Sequence, residues 1–292
     1  MTDITDIKVY DVRALPGDSA FLIDNGNITL LYDTGFGFTG KRITENIEKT
    51  LNGRNLDYIL LTHSHYDHAL ASVSICEKYP DAKVVVGSYA AEIFKRPGAK
   101  KVMEELDGKV AEKYGISDYE YYIDRLKVDI EVNDSDVLTL GDMSLRVLNL
   151  PGHTRCSIAY YCEERELLLS CETLGVYNGS DKIIPSVLVG CDCTLDSIER
   201  VSKLNIRNIL APHMGLLTEE QTKFFLSNMK SAAVDAITLI EDCIKKGYSN
   251  EAIYEIYSES YRDGFTDEAY PEDAARLNTH IMTELIRKEY NL

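Results

Sequence analysis

The sequence predicts an α+β protein: two β-rich halves with helices on their outer sides, then an all-helical tail. Three observations carry this. Short runs rich in Val, Ile, Leu and Tyr occupy most of residues 7–62, separated by Gly, Asn and Asp. Similar runs return across residues 125–173, after a charged helical stretch. From Thr218 to the end, apolar residues recur only at helical spacing. Two strand-rich halves of similar length suggest two sheets packed face to face with helices outside. Residues 1–217 would form this core. Residues 218–292 would form a helical subdomain covering or flanking the site.

The elements follow in order. IKVYDV, SAFLID, ITLLYDTG and DYILLTH read as strands, and the polar GKRITENIEKTLNGRNL before the last of them reads as a helix. ALASVSICEKYPD predicts a helix stopping at Pro80, followed by strand AKVVVGS. SYAAEIFKR starts a helix with Ser88 as N-cap, and residues 98–118 are charged and helical. Strands resume as RLKVDIEV, DVLTLG, MSLRVLNLPG, SIAYYCE and RELLLSCE. Residues 178–193 read as an irregular surface loop. TLDSIERVSKL predicts a helix and NIRNILAP a strand. Helices are expected over 219–246, 249–263 and 272–290.

Composition narrows the function. The formal net charge is −17, a field that repels nucleic-acid phosphates and anionic lipid. Nucleic acid and membrane are therefore not expected as partners; a small molecule is. The first residues lack an apolar leader segment, and no run approaches the length of a membrane span. Seven scattered cysteines, an odd number, suit a reducing cytoplasm rather than a disulfide framework. Oligomeric state is not legible.

The chain has six histidines, and three fall within six positions of LLTHSHYDHALA: His63, His65 and His68, with Asp67 between the last two. In extended chain, His63, His65 and Asp67 would face one side from the end of strand 58–62, with His68 joining from the following helix. Imidazole and carboxylate suit zinc, iron or manganese. Two adjacent metals need about six ligands and a bridge, so further ligands must come from elsewhere. His153 in NLPGHT and His213 in ILAPHMG each follow an apolar strand, where loops carry function.

The T-H-S-H-Y-D-H stretch resembles the H-x-H-x-D-H signature of the metallo-β-lactamase superfamily, in its glyoxalase II and lactonase branch. The resemblance extends over DTG at Asp33–Gly35, PGHT around His153, LLLSCET near 167–173 and APHMG around His213. It implies an αββα sandwich of two mixed β-sheets flanked by helices, with two divalent metal ions. Zinc would be the first choice, iron or manganese the alternatives. By the same resemblance His63, His65 and His153 would hold one ion, and Asp67, His68 and His213 the other. Glu172 would bridge them, in place of the family's usual Asp. Asp33 would orient a ligand histidine. Ala69-Leu70-Ala71 stands where the family often has Gly-Gly, and Arg155-Cys156 where Pro-Gly often follows PGHT.

The chemistry implied is hydrolysis of an ester, thioester, lactone or phosphodiester of a small molecule. Paired metals would acidify a shared water, and Asp67 would take its proton. Arg155 and His280 are candidate substrate contacts, beside Asn278 and Tyr254, Tyr257 and Tyr261, whose tyrosines read first as amphipathic packing. Two alternatives stand. One is a diiron oxidoreductase reducing dioxygen or nitric oxide on the same fold, disfavoured by His65 where such proteins carry Glu. The other is a non-catalytic metal-containing binding or signalling protein.

Overall fold

The N-terminal strands form where β-branched and aliphatic residues alternate or run together between turn residues. The computed structural model describes residues 2–4, 6–117 and 119–292, and divides into two compact units: residues 1–148 with 160–162, and residues 149–159 with 163–292. Its fold is two mixed β-sheets flanked by helices, with further helices at the C-terminus, as the sequence predicts.

The first sheet lies in the first unit, in the order β1 (Thr2–Ile4), β2 (Ile7–Asp11), β3 (Phe21–Asp24), β4 (Thr29–Tyr32), β5 (Tyr58–Leu60), β6 (Lys83–Gly87) and β7 (Ile130–Val132). β1 to β4 pair antiparallel, and β4 to β7 pair parallel. β4 is buried at all four residues and β6 at four of its five, the continuous apolar pattern of strands covered on both faces. Helix α1 (Gly40–Leu51) buries Ile43, Ile47 and Leu51, one stripe at four-residue spacing. Each contributes roughly 1.5–3 kcal/mol by leaving water. Asn52, in the left-handed region, ends the helix. Short α2 (Tyr66–Ala69) and α3 (Ser72–Lys78) follow β5, and α4 (Ser88–Phe94) and α5 (Pro97–Lys113) follow β6. Ser88 is the first residue of α4 rather than its cap; its hydroxyl donates to the Val132 carbonyl.

The second sheet runs β15 (Gly215–Leu216), β14 (Asn208–Ala211), β11 (Leu167–Leu169), β10 (Ile158–Cys162), β9 (Met143–Asn149) and β8 (Val137–Leu140). β11 and β14 are parallel neighbours, with Leu169 opposite Leu210.

In the second unit, residues 178–193 differ from the expected surface loop. β12 (Val176–Tyr177) and β13 (Ile183–Ile184) form a hairpin, Ile183 to Val187 are buried, and Cys191 begins α6 (Cys191–Ser202). The reason is tertiary: Ile184 and Val187 pack into a cluster with the C-terminal helices, which a local reading does not see. Those helices are α7 (Glu219–Lys245), α8 (Asn250–Tyr261), α9 (Gly264–Ala269) and α10 (Glu272–Tyr290). α7 starts at a capping box between Thr218 and Gln221. Its Ala236, Ile240 and Ile244 meet Ile253 and Tyr257 of α8 and Met282 and Ile286 of α10. Among the described residues no helix is long and apolar enough to cross a membrane.

Candidate metal centre

In the first unit the site residues lie just past the carboxyl ends of two parallel strands, where open sheets present ligands to their sites. Asp33 follows β4, and Thr62 to His65 follow β5 as irregular chain. The extended-strand geometry expected for His63, His65 and Asp67 is not what places them. His63 and His65 sit on that irregular chain, while Asp67 and His68 belong to α2. The outcome is still a cluster. The His63 ring centroid is 4.6 Å from that of His65 and 4.1 Å from that of His68. His68 Nε2 is 3.6 Å from Asp67 Oδ2.

Asp33 orients the cluster. It is fully buried, and its Oδ2 accepts from His68 Nδ1 at 2.8 Å and from the Ser19 hydroxyl at 3.1 Å. Its Oδ1 accepts from the Thr62 backbone N–H at 2.8 Å. The Thr62 hydroxyl lies 3.0 Å from Asp33 Oδ2 and 2.9 Å from His63 Nδ1. This network assigns the Nδ1 proton to both His63 and His68, so each presents the Nε2 lone pair to an ion. Asp33 holds a left-handed backbone at φ 52°, which costs a non-glycine residue about 1–2 kcal/mol. The surrounding bonds offset that strain.

In the second unit the site residues again follow strands. Glu172 comes just after β11 and His213 just after its parallel neighbour β14. The Ser170 N–H donates to the Leu210 carbonyl at 3.0 Å, which keeps the two strand ends in step. His213 takes φ 61°, the second site residue in the left-handed region. His153 follows β9 through Pro151 and Gly152. Its backbone N–H donates to the Thr173 hydroxyl at 3.1 Å, and that hydroxyl donates to the Leu150 carbonyl at 2.7 Å. Gly152 is needed for this closeness: a Cβ there would lie 2.5 Å from Thr173 Cγ2 and 2.8 Å from Thr194 Oγ1. Glu172 is 2% exposed, so it is no surface glutamate. Its Oε2 is 2.7 Å from His153 Nε2 and its Oε1 3.2 Å from His213 Nε2. One carboxylate thus serves two imidazoles, one oxygen each. The extra methylene relative to Asp is used to reach them from the 3₁₀ turn Glu172–Leu174.

The donor chemistry fits divalent cations: imidazole and carboxylate, with ring nitrogens fixed by neighbouring acceptors. Thr62, Ser19 and Thr173 were not legible as site residues. Thr62 had a signal, being adjacent to His63; Ser19 and Thr173 act through partners far away in sequence. Arg155 is exposed in the turn after His153, where Cys156 Sγ lies 3.2 Å from the Thr154 hydroxyl. His280 lies in α10 with Nε2 3.6 Å from Glu251 Oε2 of α8, and Tyr254 and Tyr257 are buried between these helices, as packing predicts.

Comparison with known proteins agrees with this fold. Over 180 residues the chain is 26% identical to the metallo-beta-lactamase fold-containing protein ST1585 of Sulfurisphaera tokodaii, covering 60% of this chain and 67% of that one. It is 24% identical over 179 residues to a hydroxyacylglutathione hydrolase of Francisella tularensis, covering 60% of this chain and 57% of the relative. The chain therefore spans little more than half the length of that enzyme. In structure it is similar to the metallo-beta-lactamase family protein TTHA1429 of Thermus thermophilus, with a TM-score of 0.64 at 19% identity over 98% of this chain and 94% of that one, a likeness of fold. Residues 16–217 match the family described as metallo-beta-lactamase superfamily, and the chain belongs to that superfamily.

Proposed function

We propose that this protein is a dinuclear metal-dependent hydrolase of a small acyl ester or thioester. In this reading the chain binds two divalent ions. As the family resemblance implies, His63, His65 and His153 would serve one ion and Asp67, His68 and His213 the other, with Glu172 between them. The observation that carries it is Glu172, whose two carboxylate oxygens each face a different histidine, as a bridging ligand requires. When bound, such ions acidify water and polarise a carbonyl oxygen. The chain's own groups do the rest. Asp33 and Thr62 hold the His68 and His63 rings in one tautomer. Asp67, with 15% of its side chain exposed, accepts the proton of the attacking water at its carboxylate and passes it to solvent.

A thioester is favoured among the candidate bonds because a relative is a hydroxyacylglutathione hydrolase, and an acylated glutathione carries its acyl group on sulfur. Lactones and phosphodiesters share the same chemistry and belong in the same assay panel. Zinc is the first expectation for the ions, with the cytoplasm as the working compartment.

The test is elemental analysis of protein purified without oxygen or added metal, beside His68→Ala. About two equivalents of zinc or manganese, falling towards one in the variant, with hydrolysis of an acyl thioester or ester, supports the proposal. Two equivalents of iron with dioxygen consumption would favour redox chemistry instead. Less than half an equivalent, unchanged in the variant, would overturn the site.

A further inference from the structure

The first unit contains a buried carboxylate that the proposed chemistry does not use. Asp107 lies in α5, is fully buried, and reaches the turn that follows β4. Its Oδ1 accepts from the Gly37 N–H at 2.8 Å; its Oδ2 accepts from the Phe38 N–H at 3.3 Å and from the Tyr121 hydroxyl at 2.5 Å. Two backbone donors and a phenol therefore converge on one carboxylate across about 70 residues of chain. Gly37 leaves room for the approach. A Cβ there would lie 3.2 Å from Leu70 Cβ, 3.3 Å from Asp107 Oδ2 and 3.3 Å from Tyr121 Cε1.

The same turn holds the ligand helix. The Thr34 N–H and hydroxyl both donate to the His68 carbonyl, each at 2.8 Å. The Ala71 N–H donates to the Gly35 carbonyl at 3.3 Å, and Asp33 itself bonds the His68 ring. From Asp107 to His68 the path is continuous: carboxylate, Gly37 and Phe38 amides, turn 33–38, then the backbone and ring of His68. Burial pushes the Asp107 carboxyl up to about 7, with a smaller push from the Asp67 charge. The two acids lie close enough to feel each other.

We propose that Asp107, together with Tyr121, is a positioning residue for the Asp67–His68 ligand pair, acting through turn 33–38. The role concerns the proposed metal centre, but its structural half stands without metal. Asp107→Asn keeps the shape but turns one oxygen into a donor that faces either the Gly37 N–H or the Phe38 N–H. Tyr121→Phe removes one hydroxyl only. Asp57→Asn is the control, because Asp57 accepts from the Thr29 N–H at 2.8 Å at the opposite end of β4 and β5.

The experiment has two readouts. Hydrogen exchange of the Thr34 amide, relative to amides within β4, reports the turn in metal-free protein. Zinc titration of the metal-free protein reports the second equivalent. Asp107→Asn is expected to speed Thr34 exchange about tenfold and to weaken the second equivalent about tenfold, the lower end for groups that orient metal ligands. Tyr121→Phe is expected to move both in the same direction, and Asp57→Asn neither. If Thr34 exchange and zinc affinity in both variants follow the Asp57→Asn control, the role is only structural and the proposal fails. If Asp107→Asn does not fold, Tyr121→Phe decides alone, and no change in either readout refutes it. If the wild-type protein takes up fewer than two equivalents, the dinuclear reading fails, while Thr34 exchange still decides the positioning role.

Discussion

Shortening Glu172 to Asp tests whether this chain has been built around a glutamate. The change removes one methylene and withdraws the carboxylate by about 1.5 Å, the length of one C–C bond. The present contacts are 2.7 Å to His153 and 3.2 Å to His213, so neither tolerates such a retreat. The backbone cannot advance to follow. The Ser170 N–H is bonded to Leu210, the Thr173 hydroxyl to Leu150, and the Gly175 N–H to the Glu172 carbonyl at 3.0 Å. Glu172→Asp should therefore lose one of its two partners. The expected cost is 10–100-fold in affinity for at least one ion, about 1.4–2.8 kcal/mol. Glu172→Gln keeps the reach and removes the charge, so it should weaken both ions rather than one. Competition against a chelator of known affinity, with metal content after dialysis, separates the two patterns. If Glu172→Asp held both ions with wild-type affinity, the reasoning from reach would be wrong. The carboxylate would then not be the element that sets the spacing of the site.

Other perturbations follow from the same geometry. Asp33→Asn should weaken metal binding about 10–100-fold while the protein stays folded, because an amide no longer fixes the Nδ1 proton of His68; metal titration and far-UV circular dichroism check both parts. Gly152→Ala should destabilise by about 1–3 kcal/mol in urea unfolding and displace His153, since the new Cβ overlaps Thr173 and Thr194. Thr218→Ala should cost about 1 kcal/mol, read as a lower urea midpoint with unchanged slope, by removing the N-cap of α7. The Asp107 carboxyl is raised from 3.8 to about 7 in the folded protein, so its favourable contribution is complete below pH 4 and lost as pH rises towards 7. The stability of Asp107→Asn relative to wild type should therefore rise between pH 4 and pH 7 and level off above. A flat difference across that window would show that the acid is not held neutral.

What could be read from the sequence was what is encoded locally. α7, α8 and α10 are read within two residues at both ends because their apolar spacing is a local property, whereas the six-residue α9 is too short to show one. The HSHYDH cluster was visible because its members are neighbours in the chain. His153 and His213 were visible as histidines at the ends of apolar strands. Glu172 was legible only through the family resemblance, since nothing in ELLLSCET separates a buried acid from a surface one.

Tertiary structure decided the rest. The segment 178–193 reads as loop because its polar residues and glycines dominate locally, yet Ile183 to Val187 are buried against helices that begin some 35 residues later. The direction in which each imidazole presents its lone pair depends on Asp33 and Thr62, whose carboxylate and hydroxyl meet only when β4 and β5 pair. Asp107 shows the same thing at longer range: on a charged helix it reads as a solvated acid, and only the fold brings it to Gly37. Ligand identity is a property of residue type and short spacing, which a linear sequence carries. Ligand orientation depends on hydrogen bonds between distant segments, and those exist only once the sheets have formed.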